Sequence, residues 1–362
     1  MDNKLKVGII GATGIVGQNY LRLLAGHPWF EVAYLAASPR SAGKRYVDAV
    51  SGRWHMEEGI PEAFREIVVE DAGLVAGAVD KCRLVFSAVE MDKQSILDLE
   101  AEYAARGLAV VSNNSANRHT EDVPVIVPEI NHAHLDIIPE QQKNRDWDKG
   151  FIVVKPNCSI QSYMLPLYAL LKAGYPVDSM IVTMLQAVSG AGYPGPASID
   201  MIDNIMPYIP GEEEKSEVEP RKILGKVRDG RISPDDSIKI SAHCNRVAVS
   251  DGHTACVSLK FSEKKPVIEE IIAIWRNFSD LPQELKLPSA PIPPIIYRDE
   301  TDRPQPRRDR DAGNGMAVTV GRLRECNVFD YRFVGLRHNT IRGAAGGSIL
   351  TAELLLSRGF VK

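Results

Sequence analysis

A glycine-rich turn eleven residues into the chain constrains the fold more than any other feature. Residues 5–10, LKVGII, are a short apolar run of the kind that forms a buried parallel strand. Gly11-Ala12-Thr13-Gly14-Ile15-Val16-Gly17 follows at once. The next residues, QNYLRLLAGHP, carry tyrosine and leucines at helical spacing until a glycine and a proline stop them. Strand, glycine turn and helix in this order make the opening half of a βαβ unit. Glycines let a backbone approach a pyrophosphate, and the helix start offers free N–H groups and positive dipole. The spacing here is GxxGxxG rather than the strict GxGxxG.

The first half continues the alternation. Residues 31–37, 83–89 and 108–112 read as strands, and 92–106 as an amphipathic helix closed by Gly107. This predicts an open α/β sheet. At 362 residues the chain has room for two domains, and 44% hydrophobic with 25% charged residues is a globular balance that excludes wholesale disorder. A formal charge of −4 offers no basic field for nucleic acid. No apolar run approaches the ~20 residues that span a bilayer, so no membrane partner is expected. Met1-Asp2-Asn3-Lys4 enters the first strand directly, leaving no room for a signal peptide. Five cysteines, widely spaced and without CxxC, suggest a reducing, cytoplasmic setting.

The character changes after Cys158. Residues 180–188, 238–249 and 253–261 read as strands. Ser250-Asp251-Gly252 lies between the last two as a hairpin signal, which would place Arg246 and His253 on one face of that hairpin. Residues 266–279 read as a helix, with Pro266 near its first turn, and 348–356 as another. Residues 288–313, with six prolines and balanced charges, read as an irregular surface excursion.

Three positions suggest chemistry. The second strand ends Ala37-Ser38-Pro39-Arg40-Ser41, without the acid that would bind a ribose 2′-hydroxyl. Hydroxyls and a guanidinium suit a 2′-phosphate, so NADP is expected over NAD. Cys158, in Lys155-Pro156-Asn157-Cys158-Ser159, stands where a strand stops and a helix begins, and the helix dipole favours its thiolate. His253 is a residue type that serves a thiol as base, and Arg246 one that clamps a carboxylate. Cys82 and Cys326 have no base near them in sequence. Cys244 and Cys256 with His243 and His253 fit no zinc spacing, so no metal is expected.

Taken together, GATGIVG, SPRSAGK, PNCS, QAVSGAGYPG, EEEK, the Arg246…His253 pair, GRLR and HNTIRGAAGG resemble the aspartate-semialdehyde dehydrogenases, within the glyceraldehyde-3-phosphate-dehydrogenase-like superfamily. The spelling is that of the archaeal and fungal branch, and the resemblance runs through nearly the whole chain. It implies that Cys158 is the nucleophile, His253 the acid–base and Gln186 the group that orients the acyl carbon. It implies that Arg246 binds the substrate carboxylate, Glu212 its amino group, and Lys215 and Arg118 its phosphate, with Asn157 beside the nucleophile. Cofactor contacts are implied at Gly11, Thr13, Gly14, Ile15 and Gly17, at Ser38, Arg40 and Ser41, and at Ser87, Ser189, Gly190 and Asn339. Without the resemblance, EEEK sits in a charge-rich stretch that reads as a solvated face.

The implied reaction is the reversible, NADP-dependent reductive dephosphorylation of β-aspartyl phosphate to aspartate semialdehyde through a cysteine thioester, a step of lysine, threonine and methionine biosynthesis. A CoA-thioester reductase acting on malonyl- or succinyl-CoA, and a non-catalytic NADP-binding protein, are the alternatives. EEEK speaks against the first, and the intact set Cys158, Gln186, Arg246 and His253 against the second. The expected fold is α/β: a Rossmann-type dinucleotide-binding domain (1–157 plus 339–362) and an α+β catalytic domain with a mainly antiparallel sheet (158–338). A homodimer or homotetramer is expected through the catalytic domain.

Overall fold

The computed structural model describes residues 4–362. The first half builds six strands: β1 (Leu5–Ile10), β2 (Phe30–Ala37), β3 (Glu70–Asp71), β4 (Leu84–Ser87), β5 (Ala109–Ser112) and β6 (Phe151–Val154). They form one sheet in the order β3-β2-β1-β4-β5-β6, and every pairing is parallel. The order reverses between β1 and β4, and this switch point is where a doubly wound sheet opens a crevice at its carboxyl edge.

Both faces of this sheet are covered, which is why its strands are apolar throughout rather than alternating. One face packs against α1 (Ile15–Leu24) and, from the far end of the sequence, α6 (Gly346–Ser357). The other packs against α2 (Lys93–Ala105), whose Ile96, Leu99 and Tyr103 point into the sheet. Asp92 caps α2, accepting from the Ser95 amide at 3.0 Å. The helix α6 is buried nearly all round, so its leucines serve as core on every side.

The second half contains the long strand β7 (Val177–Gln186), a small hairpin of β8 (Lys226–Arg228) and β9 (Arg231–Ser233), then β10 (Lys239–Arg246), β11 (His253–Phe261), β12 (Ile295–Arg298), β13 (Val318–Glu325) and β14 (Tyr331–Arg337). The larger sheet runs β10-β7-β11-β14-β13-β12. It is mixed, with the three central pairings antiparallel and the two edge pairings parallel. Helices α3 (Gln161–Lys172) and α5 (Ile268–Arg276) cover one face, with Trp275 wholly buried between them and the sheet. The opposite face leaves Ile181 of β7, His243 of β10 and Cys256 of β11 exposed. No helix among the described residues is long and apolar enough to cross a membrane.

Two expectations need correction. Strands β10 and β11 do not form a hairpin, because β7 lies between them and pairs with both. The connection 247–252 strides over the end of β7 and spends its backbone bonds there: Val247 N–H donates to Gln186, and Val249 and Ser250 accept from Val188 and Ser189. The turn signal was real, but a longer strand offered both neighbours more pairing than they offered each other. The segment 288–313 is also not merely a surface excursion. It contributes the edge strand β12, and two of its arginines, Arg298 and Arg303, converge on the buried carboxylate of Asp309, while Asp299, Glu300, Asp302, Arg307 and Arg308 stay exposed. Balanced charges look solvated in sequence, yet Arg298, Arg303 and Asp309 neutralise one another inside the fold.

Candidate active site

The loop after β1 shows which of its glycines the fold requires. A Cβ on Gly11 would lie 2.3 Å from the Ala88 carbonyl oxygen, and one on Gly17 would lie 2.3 Å from that of Gly11. Gly11 also has φ +85°, which other residues rarely adopt. Gly14 differs: its Cβ would meet nothing nearer than Gly11 O at 3.6 Å, so it faces open space at the start of α1. No side chain caps that helix, so its first-turn N–H groups stay available to an anion. Thr13 and Ile15 flank Gly14 and are half-buried. Ser38 and Arg40 are exposed beyond β2, Arg40 makes no ion pair among the described residues, and Ser41 is buried. Ser87 is buried at the end of β4, where its hydroxyl accepts from Asn114 at 3.1 Å.

A cavity of about 730 Å³ runs along the start of α1 to the turn after β7. Ile15 lines one side, and Ser189, Ser250 and Thr340 line the other. Ser38 and Arg40 lie outside its walls. Asn339, between the lining residues His338 and Thr340, donates to Ser189 Oγ at 2.8 Å and accepts the Gly252 N–H at 2.8 Å. Gly190 sits deeper: a Cβ there would lie 3.0 Å from Arg246 Nη1 and 3.0 Å from His253 Cε1. The backbone of this turn therefore lies directly on the residues that carry chemistry.

Those residues meet where the two sheets abut. Strand β6 ends at Val154, and the turn 155–160 carries Cys158 into α3. The Asn157 side chain holds this turn, accepting from Ser159 N at 2.7 Å. In the second sheet, Gln186 pairs with Arg246, and His253 begins the neighbouring strand. The result places Cys158 Sγ 3.4 Å from His253 Nε2, across 95 residues of sequence. His253 is wholly buried, and its Nδ1 accepts the Ala187 N–H at 3.0 Å. Burial first, then the charges of Arg246 and Arg337, hold the imidazole far below its ordinary pKa. Burial and then Glu212 push the Cys158 thiol above its usual value, against the pull of Lys155, Arg118 and Arg337.

Glu212 is the hub of the polar site. It is the first residue of α4 (Glu212–Ile223), so its carboxylate lies at the positive end of the helix dipole. It accepts from Asn157 Nδ2 at 2.9 Å, Gln186 Nε2 at 3.0 Å and Lys215 Nζ at 2.9 Å. Burial works to raise its pKa, but Lys215, Gln186 and Asn157 outweigh it and keep Glu212 below the usual carboxylate range. EEEK is thus a helix start with one buried face rather than a solvated surface. Arg246 is buried and donates from Nη1 to Ala187 O at 2.8 Å. Arg118 is bound to Glu219 at 2.8 Å, and Glu219 also accepts the Asn157 N–H at 2.6 Å.

The reading of the sequence missed Glu219, Lys155, Arg337 and the Ala187 amide. Glu219 was findable, since Glu212, Ser216 and Glu219 recur at helical spacing on the buried face of α4. The other three depend on long-range packing and had no local signal. Cys244 is buried while Cys256 is exposed, and no group of three or more His, Cys, Asp or Glu is gathered for a metal among the described residues.

Comparison with known proteins agrees with this geometry. The semialdehyde dehydrogenase NAD-binding domain family matches residues 6–138, and the semialdehyde dehydrogenase dimerisation domain family matches 167–342. The chain is 44% identical to an aspartate-semialdehyde dehydrogenase of Cryptococcus neoformans, over 99% of both chains. It is 44% identical to one from Archaeoglobus fulgidus, over 99% of this chain and 100% of that one. A crystal structure of the Candida albicans aspartate-semialdehyde dehydrogenase with NADP superposes with a TM-score of 0.90 at 42% identity, covering 99% of this chain and 100% of that one. On this evidence the chain belongs to the aspartate-semialdehyde dehydrogenase family.

Proposed function

We propose that this protein is an NADP-dependent aspartate-semialdehyde dehydrogenase that works through a thioester on Cys158. The observation that carries the reading is the 3.4 Å contact between Cys158 Sγ and His253 Nε2 beside the Glu212 carboxylate. In the reductive direction the Cys158 thiolate attacks the acyl carbon of β-aspartyl phosphate. The C–O bond to phosphate breaks, inorganic phosphate leaves and a thioester remains. NADP in its reduced form supplies the hydride that turns the thioester carbonyl into a thiohemiacetal. His253 Nε2–H hydrogen-bonds the oxyanion that hydride addition creates, and that oxygen re-forms its C=O bond as the C–S bond breaks, releasing aspartate semialdehyde and the Cys158 thiolate with no net proton transfer.

The remaining side chains bind and orient. Arg246 takes the α-carboxylate by its fork, and Glu212 takes the ammonium. Lys215 and Arg118 neutralise the phosphate, which requires Lys215 to exchange part of its bond to Glu212. Gln186 and Asn157, both already bound to Glu212, fix the acyl end. For the cofactor, the loop Gly11–Gly17 and the start of α1 receive the pyrophosphate, while Ser38, Arg40 and Ser41 receive the 2′-phosphate. Ser87 lies along the crevice, and Ser189, Gly190 and Asn339 meet the nicotinamide end.

The same reading divides the chain into 1–157 plus 339–362 for the cofactor and 158–338 for catalysis. The C-terminal helix α6 packs in the first core, which supports that division. A second copy covers the open face of the larger sheet, giving a homodimer or a homotetramer built from it. The match to a dimerisation domain family supports this. All five cysteines are free, which suits a reducing cytoplasm. Glu212 is the feature a CoA-ester reductase would not need, since malonyl and succinyl groups carry no ammonium. The test is turnover of aspartate semialdehyde with phosphate and NADP, against malonyl-CoA or succinyl-CoA with NADPH. Faster use of the CoA esters would overturn the aspartyl assignment.

A further inference from the structure

Arg337, the last residue of β14, is wholly buried, and its Nε and Nη1 have no hydrogen-bond partner among the described residues. Only Nη2 is used, donating to the carbonyl of His338 at 3.1 Å. A buried guanidinium with most of its donors idle is costly unless an anion faces it. Burial and the nearby Arg342 both work against its charge.

Its neighbours narrow the choice of anion. Arg337 pairs with His253 across the strand register, so it lies beside the catalytic imidazole. Gly343 separates it from the nucleophile: a Cβ at that position would lie 2.9 Å from Cys158 Cβ and 3.1 Å from Arg337 Nη2. Every nearby carboxylate is already taken. Glu129 is held by both terminal nitrogens of Arg342, Glu219 by Arg118, and Glu212 by Lys215. His253 is neutral. Lys155 is buried too, but its ammonium is bound to the carbonyls of Pro156 and Gly343. Among the described residues around Arg337, the sulfur of Cys158 is a group that becomes an anion and has no ion-pair partner.

We propose that Arg337 is the counter-cation of the Cys158 thiolate, a positioning residue that keeps the nucleophile charged inside a buried site. This rests on Cys158 being the nucleophile, and it adds a residue that none of the family motifs singled out. The charged and titratable groups around the sulfur are His253 from β11, Glu212 from α4, Arg246 from β10, Lys155 and Arg118 from the first sheet's loops, and Arg337 from β14. Of these, Arg337 combines full burial and two idle donors with a guanidinium whose Nη2 lies across the Gly343 gap from Cys158. It also explains why residue 343 has no side chain, since a methyl group there would fill that gap.

The experiment measures alkylation of Cys158 by iodoacetamide from pH 5 to 10 in the full-length protein. Wild type, Arg337→Met and Arg337→Lys are compared, with labelling located by mass spectrometry. Arg337→Met keeps volume and removes charge, so the pH of half-maximal labelling should rise by about one unit or more. Arg337→Lys should restore most of the shift. A merely structural role would lower stability and scale the rate without moving the midpoint. An unmoved midpoint in a folded Arg337→Met protein overturns the proposal. If the methionine variant does not fold, Arg337→Gln takes its place: a midpoint raised by about one unit supports the proposal, and an unmoved midpoint overturns it. Labelling of wild type at a cysteine other than Cys158 would instead overturn the nucleophile assignment, a separate failure.

Discussion

The amide of Ala187 donates to Nδ1 of His253 at 3.0 Å, so the single proton of the neutral ring sits on Nε2, facing Cys158 Sγ at 3.4 Å. A doubly protonated ring would set Nδ1–H against that amide, two donors meeting head on. The geometry and the burial therefore agree: at rest His253 is neutral and donates a hydrogen bond from Nε2 toward the sulfur. In this arrangement it cannot store the cysteine's proton as an imidazolium.

In ¹⁵N-histidine NMR, the His253 resonances, assigned by their loss in His253→Gln, should keep the neutral Nε2–H pattern from pH 8 to below pH 6. An imidazolium signal for this ring near pH 6.5 would contradict the assigned tautomer.

Cys158→Ser should lower turnover by roughly 10³-fold or more, since a serine alkoxide is far harder to form than a thiolate. NADP binding, followed by quenching of protein fluorescence, should persist because the glycine loop is untouched. Retained activity would remove Cys158 from its role.

Glu212→Gln should reduce kcat/KM for aspartate semialdehyde by roughly two to three decades. The change places a neutral amide among three donors and removes the charge that meets the ammonium, and breaking a buried pair costs about 3–5 kcal/mol. Lys215→Ala should raise the KM for phosphate more than it lowers kcat. Steady-state kinetics with each substrate varied separates the two effects.

Arg40→Ala should weaken NADP by one to two decades while leaving NAD nearly unchanged, the loss of one charge-assisted contact of roughly 1.5–3 kcal/mol. Arg40 is exposed and makes no ion pair among the described residues, so the substitution breaks none there. Equal weakening of both cofactors in calorimetric titration would place Arg40 away from the 2′-phosphate.

Acid should destabilise the protein from about pH 6.5 downward. Burial lowers the pKa of His134, His253 and His338, the last to about 4. Below pH 6.5 the unfolded chain takes up protons at these rings while the native state does not. Each ring therefore costs up to about 1.4 kcal/mol per pH unit until its native pKa is reached. Urea midpoints measured from pH 7.5 to 5 should fall, and less steeply in His338→Gln. A midpoint independent of pH over that range would refute the argument.

Much of this protein is written in local sequence, because local physics acts there. Strand, glycine turn and helix at 5–24 follow from apolar run, backbone freedom and helical spacing. Gly11 and Gly17 then prove sterically obligatory. Cys158, Gln186, Glu212, Arg246 and His253 stand in motifs short enough to recognise one at a time. Strand neighbours are another matter. Residues 238–261 carry every mark of a hairpin, yet β7 enters between the two strands, because pairing is settled by the burial and backbone bonding of the whole sheet. The same holds for charge. Arg118, Arg246, Arg337 and Arg342 look alike in sequence. The packed interior gives Glu219 to the first and Glu129 to the last, and leaves the middle two without a carboxylate partner among the described residues.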